Sequence, residues 1–137
     1  MYKSREFDLV NIDEYNKYDT DLAFHALRLP TKDISKPSWY IFRSTKNFTL
    51  EPGKTILVPS GIKAYMENDE VLVCAPICDA RLEYGIQFVN VSSILDEHYY
   101  CNSNEQHIIF ELANNGDNPW EVKSGDTIVQ GIFLPQL

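Results

Sequence analysis

Between residues 39 and 134 the chain is cut into short β-type runs by turn signals roughly every 8–12 residues, and this spacing limits the folds open to it. The runs cover 39–42, 48–50, 55–58, 62–66, 71–75, 86–91, 107–113, 120–122 and 127–134, and an earlier one at 22–29 ends at Pro30. Glu51-Pro52-Gly53-Lys54, Pro59-Ser60-Gly61, the stretch from Asn114 to Pro119, and Ser124-Gly125-Asp126 separate them. Such turns are rich in the residues that supply fixed or positive φ angles. The runs at 71–75 and 86–91 are nearly all apolar, the pattern of strands buried on both faces. Only 79–84 reads as a turn or two of helix. An all-β sandwich or jelly-roll-like barrel follows.

Residues 1–20 are polar and tyrosine-rich without a clear apolar period, and read as an arm or an irregular start. One β domain is expected over 21–137, in line with a length of 137 residues. The formal charge is −8. It gathers in residues 82–137, where eight acidic side chains face one base, Lys123. A broad nucleic-acid surface is disfavoured, because phosphate contacts need many Lys and Arg side chains. No apolar run approaches the roughly 20 residues of a membrane span, and the first residues lack a signal peptide's apolar middle. Cys74, Cys78 and Cys101 are an odd set, which suits reduced thiols. An intracellular protein, cytoplasmic or nuclear in a host cell and not secreted, is expected.

A scan for chemistry finds no phosphate-binding glycine loop, no dinucleotide fingerprint, no HExxH and no GxSxG. Cys74 and Cys78 with His98, Cys101 and His107 invite a zinc reading. A C-x3-C spacing inside an apolar run favours buried thiols instead, and no metal site is expected. Asp79, Arg81 and Glu83 read either as an acid–base cluster or as a solvated helix face. Asp96-Glu97-His98-Tyr99-Tyr100 is either a functional hairpin tip or merely an exposed one.

The stretch from Leu29 to Leu134, about three-quarters of the chain, resembles the trimeric dUTPases. LRLPTKDIS resembles their opening strand and turn, and FTLEPGKTILVPSGIKAYM their PG-containing run. YGIQFVN resembles the strand before the substrate hairpin. ELANNGDNPWEVKSGDTIVQGIFLP resembles the closing GD-x-P and GD-x-I-x-Q segment closely. The resemblance implies a jelly-roll or distorted β-barrel with at most one short helix, and a homotrimer. The family cleaves dUTP to dUMP and pyrophosphate, using magnesium and a water nucleophile.

The family's motifs persist unevenly. Its first motif carries an aspartate for the magnesium water shell where this chain has Ile41, which offers a hard cation no oxygen. Its second carries a phosphate-gripping Arg-Ser pair where this chain has Ile77 and Cys78, followed by the carboxylate of Asp79. The third is better kept. Asn90 matches the residue near the uracil, Asp96 the carboxylate that positions water, and Tyr99 the ring on the deoxyribose. In the fourth, Gln130 is retained while Thr127 stands where arginine is common.

The nucleoside-facing residues therefore persist, and the phosphate and metal apparatus is altered at several places. The leading expectation is a catalytically inactive scaffold, of a kind found in viruses, that acts through protein contacts. The alternative is a dUTP nucleotidohydrolase, or a related deoxynucleotide hydrolase or binder, with Arg43 and Arg81 as the nearby arginines for phosphate. A deoxyuridine-nucleotide sensor is a third option. Magnesium belongs only to the hydrolase reading; otherwise no cofactor is expected.

Overall fold

The computed structural model describes residues 6–35, 38–66, 69–89, 93–95 and 106–135. Twelve strands form within them: β1 (Glu6–Leu9), β2 (Thr31–Lys32), β3 (Tyr40–Arg43), β4 (Phe48–Leu50), β5 (Thr55–Pro59), β6 (Ile62–Tyr65), β7 (Glu70–Pro76), β8 (Ile86–Phe88), β9 (Ile94–Leu95), β10 (Ile109–Asn114), β11 (Trp120–Val122) and β12 (Thr127–Pro135). A five-stranded sheet runs β2-β3-β12-β7-β9 and a three-stranded one β5-β10-β8, with the ribbons β1-β6 and β4-β11 beside them. All these pairings are antiparallel.

The two larger sheets bury their facing sides against each other. Phe42, Leu72, Cys74, Val129 and Phe133 from one meet Val58, Ile86, Phe110 and Leu112 from the other in a single apolar cluster. The Phe42 and Phe110 rings meet edge to face at 5.4 Å, an arrangement aromatic quadrupoles favour. Gly131 lies in this layer because a β-carbon there would sit 3.2 Å from both Leu72 and Phe42. Every second residue of β7 is buried, whereas Val71, Val73 and Ala75 on its other side stay half-exposed. The 71–75 run is therefore covered on one face within a single chain, not on two.

Helix α2 (Cys78–Tyr84) occupies the expected place. It ends at Gly85, whose φ of 66° lies in the left-handed region where a β-carbon would clash. The Gly85 amide donates to the Arg81 carbonyl at 3.1 Å. Against it packs Gly116, whose missing β-carbon would lie 2.4 Å from the Tyr84 oxygen, so this turn accepts no side chain.

The N-terminal segment departs from its reading as an arm or irregular start. From residue 6 onward it is seated in the fold. β1 pairs with β6, and the Phe7 ring lies against Tyr40, Phe42 and Phe133. A single helical turn, α1 (Ile12–Tyr15), follows, with the Asn11 side chain accepting the Asp13 amide at 2.8 Å. Thus α2 is the one helix longer than a turn among the described residues.

The 22–29 run is not a strand either. It holds a 3-10 turn at Phe24–Ala26, and its apolar side chains pack singly, Phe24 on Tyr15 and Leu27 over Gly61. Among the described residues no helix is long and apolar enough to cross a membrane.

Candidate active site

The sheet register gathers positions that lie far apart in sequence. Directly opposed residues of an antiparallel pair share a face, as do residues two apart on one strand. Gln130 opposes Ile41 on one side and Ala75 on the other, while Thr127 opposes Arg43. Ile41 and Arg43 are two apart on β3. Hence Ile41, Arg43, Thr127, Gln130 and Ala75 all stand on the outer face of the five-stranded sheet.

A β-bulge makes this possible. The register shifts between Thr127 and Val129, so Ile128 is extra, and both Ile128 and Val129 turn into the core with no exposure. Regular alternation would put residues three apart, such as Thr127 and Gln130, on opposite faces; the bulge returns both to one. Gln130 is 7% exposed, whereas Thr127, Ile41 and Arg43 are half-buried.

Ile77 follows at the end of β7, its amide donating to the Ile128 carbonyl at 3.0 Å. Cys78 and Asp79 open α2; the former is half-buried and the latter exposed. The Nε of Arg81 donates to the Pro76 carbonyl at 3.3 Å, tying that guanidinium to the approach of its own helix. β9 pairs with β7 through Val73 and Ile94, so the chain leading to Asp96 leaves from the edge of the same sheet. Asn90, Asp96 and Tyr99 themselves lie outside the described residues, as do His98 and Cys101.

Two of the zinc candidates, Cys74 and His107, are closed off in the core. Burial pushes the Cys74 thiol up to about 12, which leaves it protonated and inert. His107 is 2% exposed, with Nδ1 2.9 Å from Glu14 Oε2 and Nε2 accepting the Gly61 amide at 2.8 Å. Both ring nitrogens are therefore engaged, and the neutral tautomer carries its proton on Nδ1. Burial lowers the imidazole pKa, against a smaller upward pull from Glu14. Burial also works against the Glu14 carboxylate, but His107 and the Lys17 ammonium outweigh it and hold its pKa down.

Among the described residues no group of three or more His, Cys, Asp or Glu comes together for a metal. The hydrocarbon of Ile41 cannot ligate magnesium.

No protein-family model matches the chain. Full-length similarity comes from solved structures. The crystal structure of dUTPase from Streptococcus mutans superposes with a TM-score of 0.71 at 30% sequence identity, covering 96% of this chain and 95% of that one. The chain belongs to the dUTPase family. The deoxyuridine 5'-triphosphate nucleotidohydrolase of Lactococcus lactis subsp. lactis (strain IL1403) is 29% identical over 113 residues, 82% of this chain and 75% of that protein. The enzyme of the same name from Actinobacillus pleuropneumoniae serotype 5b is 31% identical over 88 residues, which span only 55% of its length.

The fold brings Ile41, Thr127 and Gln130 onto one face and leaves Ile77 just past the end of β7, where it packs against the core. Sequence reasoning missed the bulge, because Thr127-Ile128-Val129 contains no glycine to mark it. It also had no means of ranking Arg43 against Arg81.

Proposed function

We propose that this chain is a dUTP nucleotidohydrolase, or a closely related deoxynucleotide hydrolase, with a divergent phosphate site. The observation that carries this reading is the 30% identity to the Streptococcus mutans dUTPase across nearly all of both chains. In the reaction a water oxygen bonds to the phosphorus next to the sugar, and the bond to pyrophosphate breaks, leaving dUMP. Asp96 positions the water and accepts its proton, while Tyr99 packs on the deoxyribose. Asn90 meets the uracil and Gln130 supports the pocket from the sheet. Pyrophosphate release is expected with dUTP and not with dTTP or dCTP. Asp96→Asn should slow it by at least about 100-fold, as loss of a positioned general base does. No release from dUTP would sink the hydrolase reading.

One observation favours a second reading, an inactive regulatory scaffold with a protein partner. Hydrocarbon stands at Ile41 and Ile77, and removing even one preorganised donor costs about 10²–10³ in rate. The same assay decides between the two.

Assembly as a homotrimer belongs to the proposal. It is supported by the outer face of the five-stranded sheet, where Val71, Val73 and Ile132 are half-exposed and Ile94 and Leu134 are exposed. Covering the end of that face around Val71 and Val73, away from Arg43 and Thr127, would complete the burial that this part of the 71–75 run suggests. Sedimentation at micromolar concentration should give three times 15.8 kDa. A monomer would remove this part of the proposal.

A further inference from the structure

We infer that Arg43, standing with Thr127 and Gln130 on the outer face of the five-stranded sheet, is the cation that binds the phosphates of a deoxynucleotide in this chain. The inference rests on the nucleotide reading above and names the group that meets the charge where Ile77 offers none.

The placement follows from the register already described: Arg43 opposes Thr127 and stands two residues from Ile41, which opposes Gln130. The charge pattern of the sheet singles it out. Its five strands contain two basic residues, Lys32 and Arg43. Lys32 opposes Tyr40 and therefore shares the inner face, with its ammonium 5.8 Å from the Tyr40 ring centroid. Arg43 is thus the one cation that these strands put on the outer face.

No carboxylate from the strands stands there with it. Glu70, the sole acid in them, alternates with Leu72 and Cys74 on the inner side. Just before β12, Asp126 is committed to its own turn, where Oδ2 accepts the Lys123 amide at 2.9 Å. Among the described residues no ion pair or side-chain hydrogen bond reaches the Arg43 guanidinium.

A half-buried guanidinium that meets no counter-charge among the described residues is costly in a chain of net charge −8, where acids are plentiful. Its planar fork of five N–H donors suits phosphate oxygens. The Thr127 hydroxyl and the Gln130 amide add neutral donors on the same face. The surrounding Ile41, Ala75 and Ile132 are apolar, and a drier surface strengthens each charge-assisted bond. Arg81 is the weaker candidate: it is exposed, its Nε is committed to Pro76, and Asp79 lies two residues away on the same short helix.

Calorimetric titration of the full chain with deoxyuridine and with dUTP as its non-hydrolysable α,β-imido analogue, for wild type, Arg43→Gln and Arg43→Lys, tests the inference. Arg43→Gln should weaken dUTP binding about 10–100-fold, the range for losing one or two charge-assisted hydrogen bonds. Deoxyuridine affinity should not change, and Arg43→Lys should fall between, because an ammonium keeps the charge without the fork. If Arg43→Gln does not fold, the lysine variant alone still separates the two ligands. Unchanged dUTP affinity in both variants would overturn the role of Arg43 and leave the hydrolase reading standing. Equal losses for dUTP and deoxyuridine would show a structural role and overturn it too. A wild type that binds no dUTP would overturn both.

Discussion

Replacing Glu14 by alanine is expected to destabilise the protein by about 3 kcal/mol, a drop in melting temperature on the order of 10 °C. The carboxylate is 1% exposed, with Oε2 against the His107 ring and Oε1 3.1 Å from the Lys17 ammonium. Without it, the Nδ1–H of His107 loses its acceptor in a site closed to water. The opposite nitrogen holds the Gly61 amide, and the Tyr18 ring stands edge-on at 5.3 Å, so the imidazole has little freedom to turn.

The same pair sets an acid limit. His107 has a lower pKa folded than the ordinary 6.5, so the unfolded chain takes up that proton first. Its contribution is whole above about 6.5 and is lost as pH falls from there toward the folded value. Glu14 is likewise held below its ordinary 4.5, which adds a further loss at lower pH. Urea midpoints should therefore drop between about pH 7 and about pH 5, and His107→Gln should remove much of that slope. Parallel pH profiles for the two proteins would contradict the assignment.

Phe110→Ala should be at least as damaging, at about 3–5 kcal/mol. The ring is 1% exposed on the central strand of the three-stranded sheet and meets Phe42 and Phe88 edge to face at 5.4 and 5.9 Å. Truncation opens a cavity between the sheets that neither neighbour can fill without leaving its own strand. Ile34→Ala is the matched control: Ile34 is 99% exposed, and its loss should stay within about 0.5 kcal/mol. A Phe110→Ala cost below about 1 kcal/mol would mean that the sheets are not joined through this ring.

The strands that read most clearly in the sequence are those bounded by strong turn residues. The runs at 48–50 and 120–122 match β4 and β11 residue for residue, because Pro52-Gly53 and Ser124-Gly125 leave no choice about where the chain bends. The helix at 79–84 was legible through its polar first turn and the glycine that stops it.

The N-terminal segment was not legible. A four-residue strand followed by a four-residue helix never repeats either period long enough to register. Its anchoring residues, Phe7, Val10 and Tyr15, look scattered. Glu14 and His107 stand far apart in the chain, and nothing local marks a buried acid. Of the site, the retained Gln130 and the altered Ile41, Ile77 and Thr127 could be named from the resemblance to dUTPases. The meeting of Ile41, Thr127 and Gln130 on one face depends on a register that only the folded sheet supplies.

The place of β12 has a consequence for how the chain is made. This strand is the spine of the five-stranded sheet, hydrogen-bonded to β3 on one side and β7 on the other. Both neighbours are synthesised long before it. Until residues 127–135 arrive, β3 and β7 each carry a bare edge and an apolar side with nothing to hold them together. The nascent chain therefore cannot assemble this sheet progressively. It waits, and folding that depends on such distant partners is slow and vulnerable to pairing with other chains. A ribosome stalled just short of Thr127 would display two unjoined halves of a sheet.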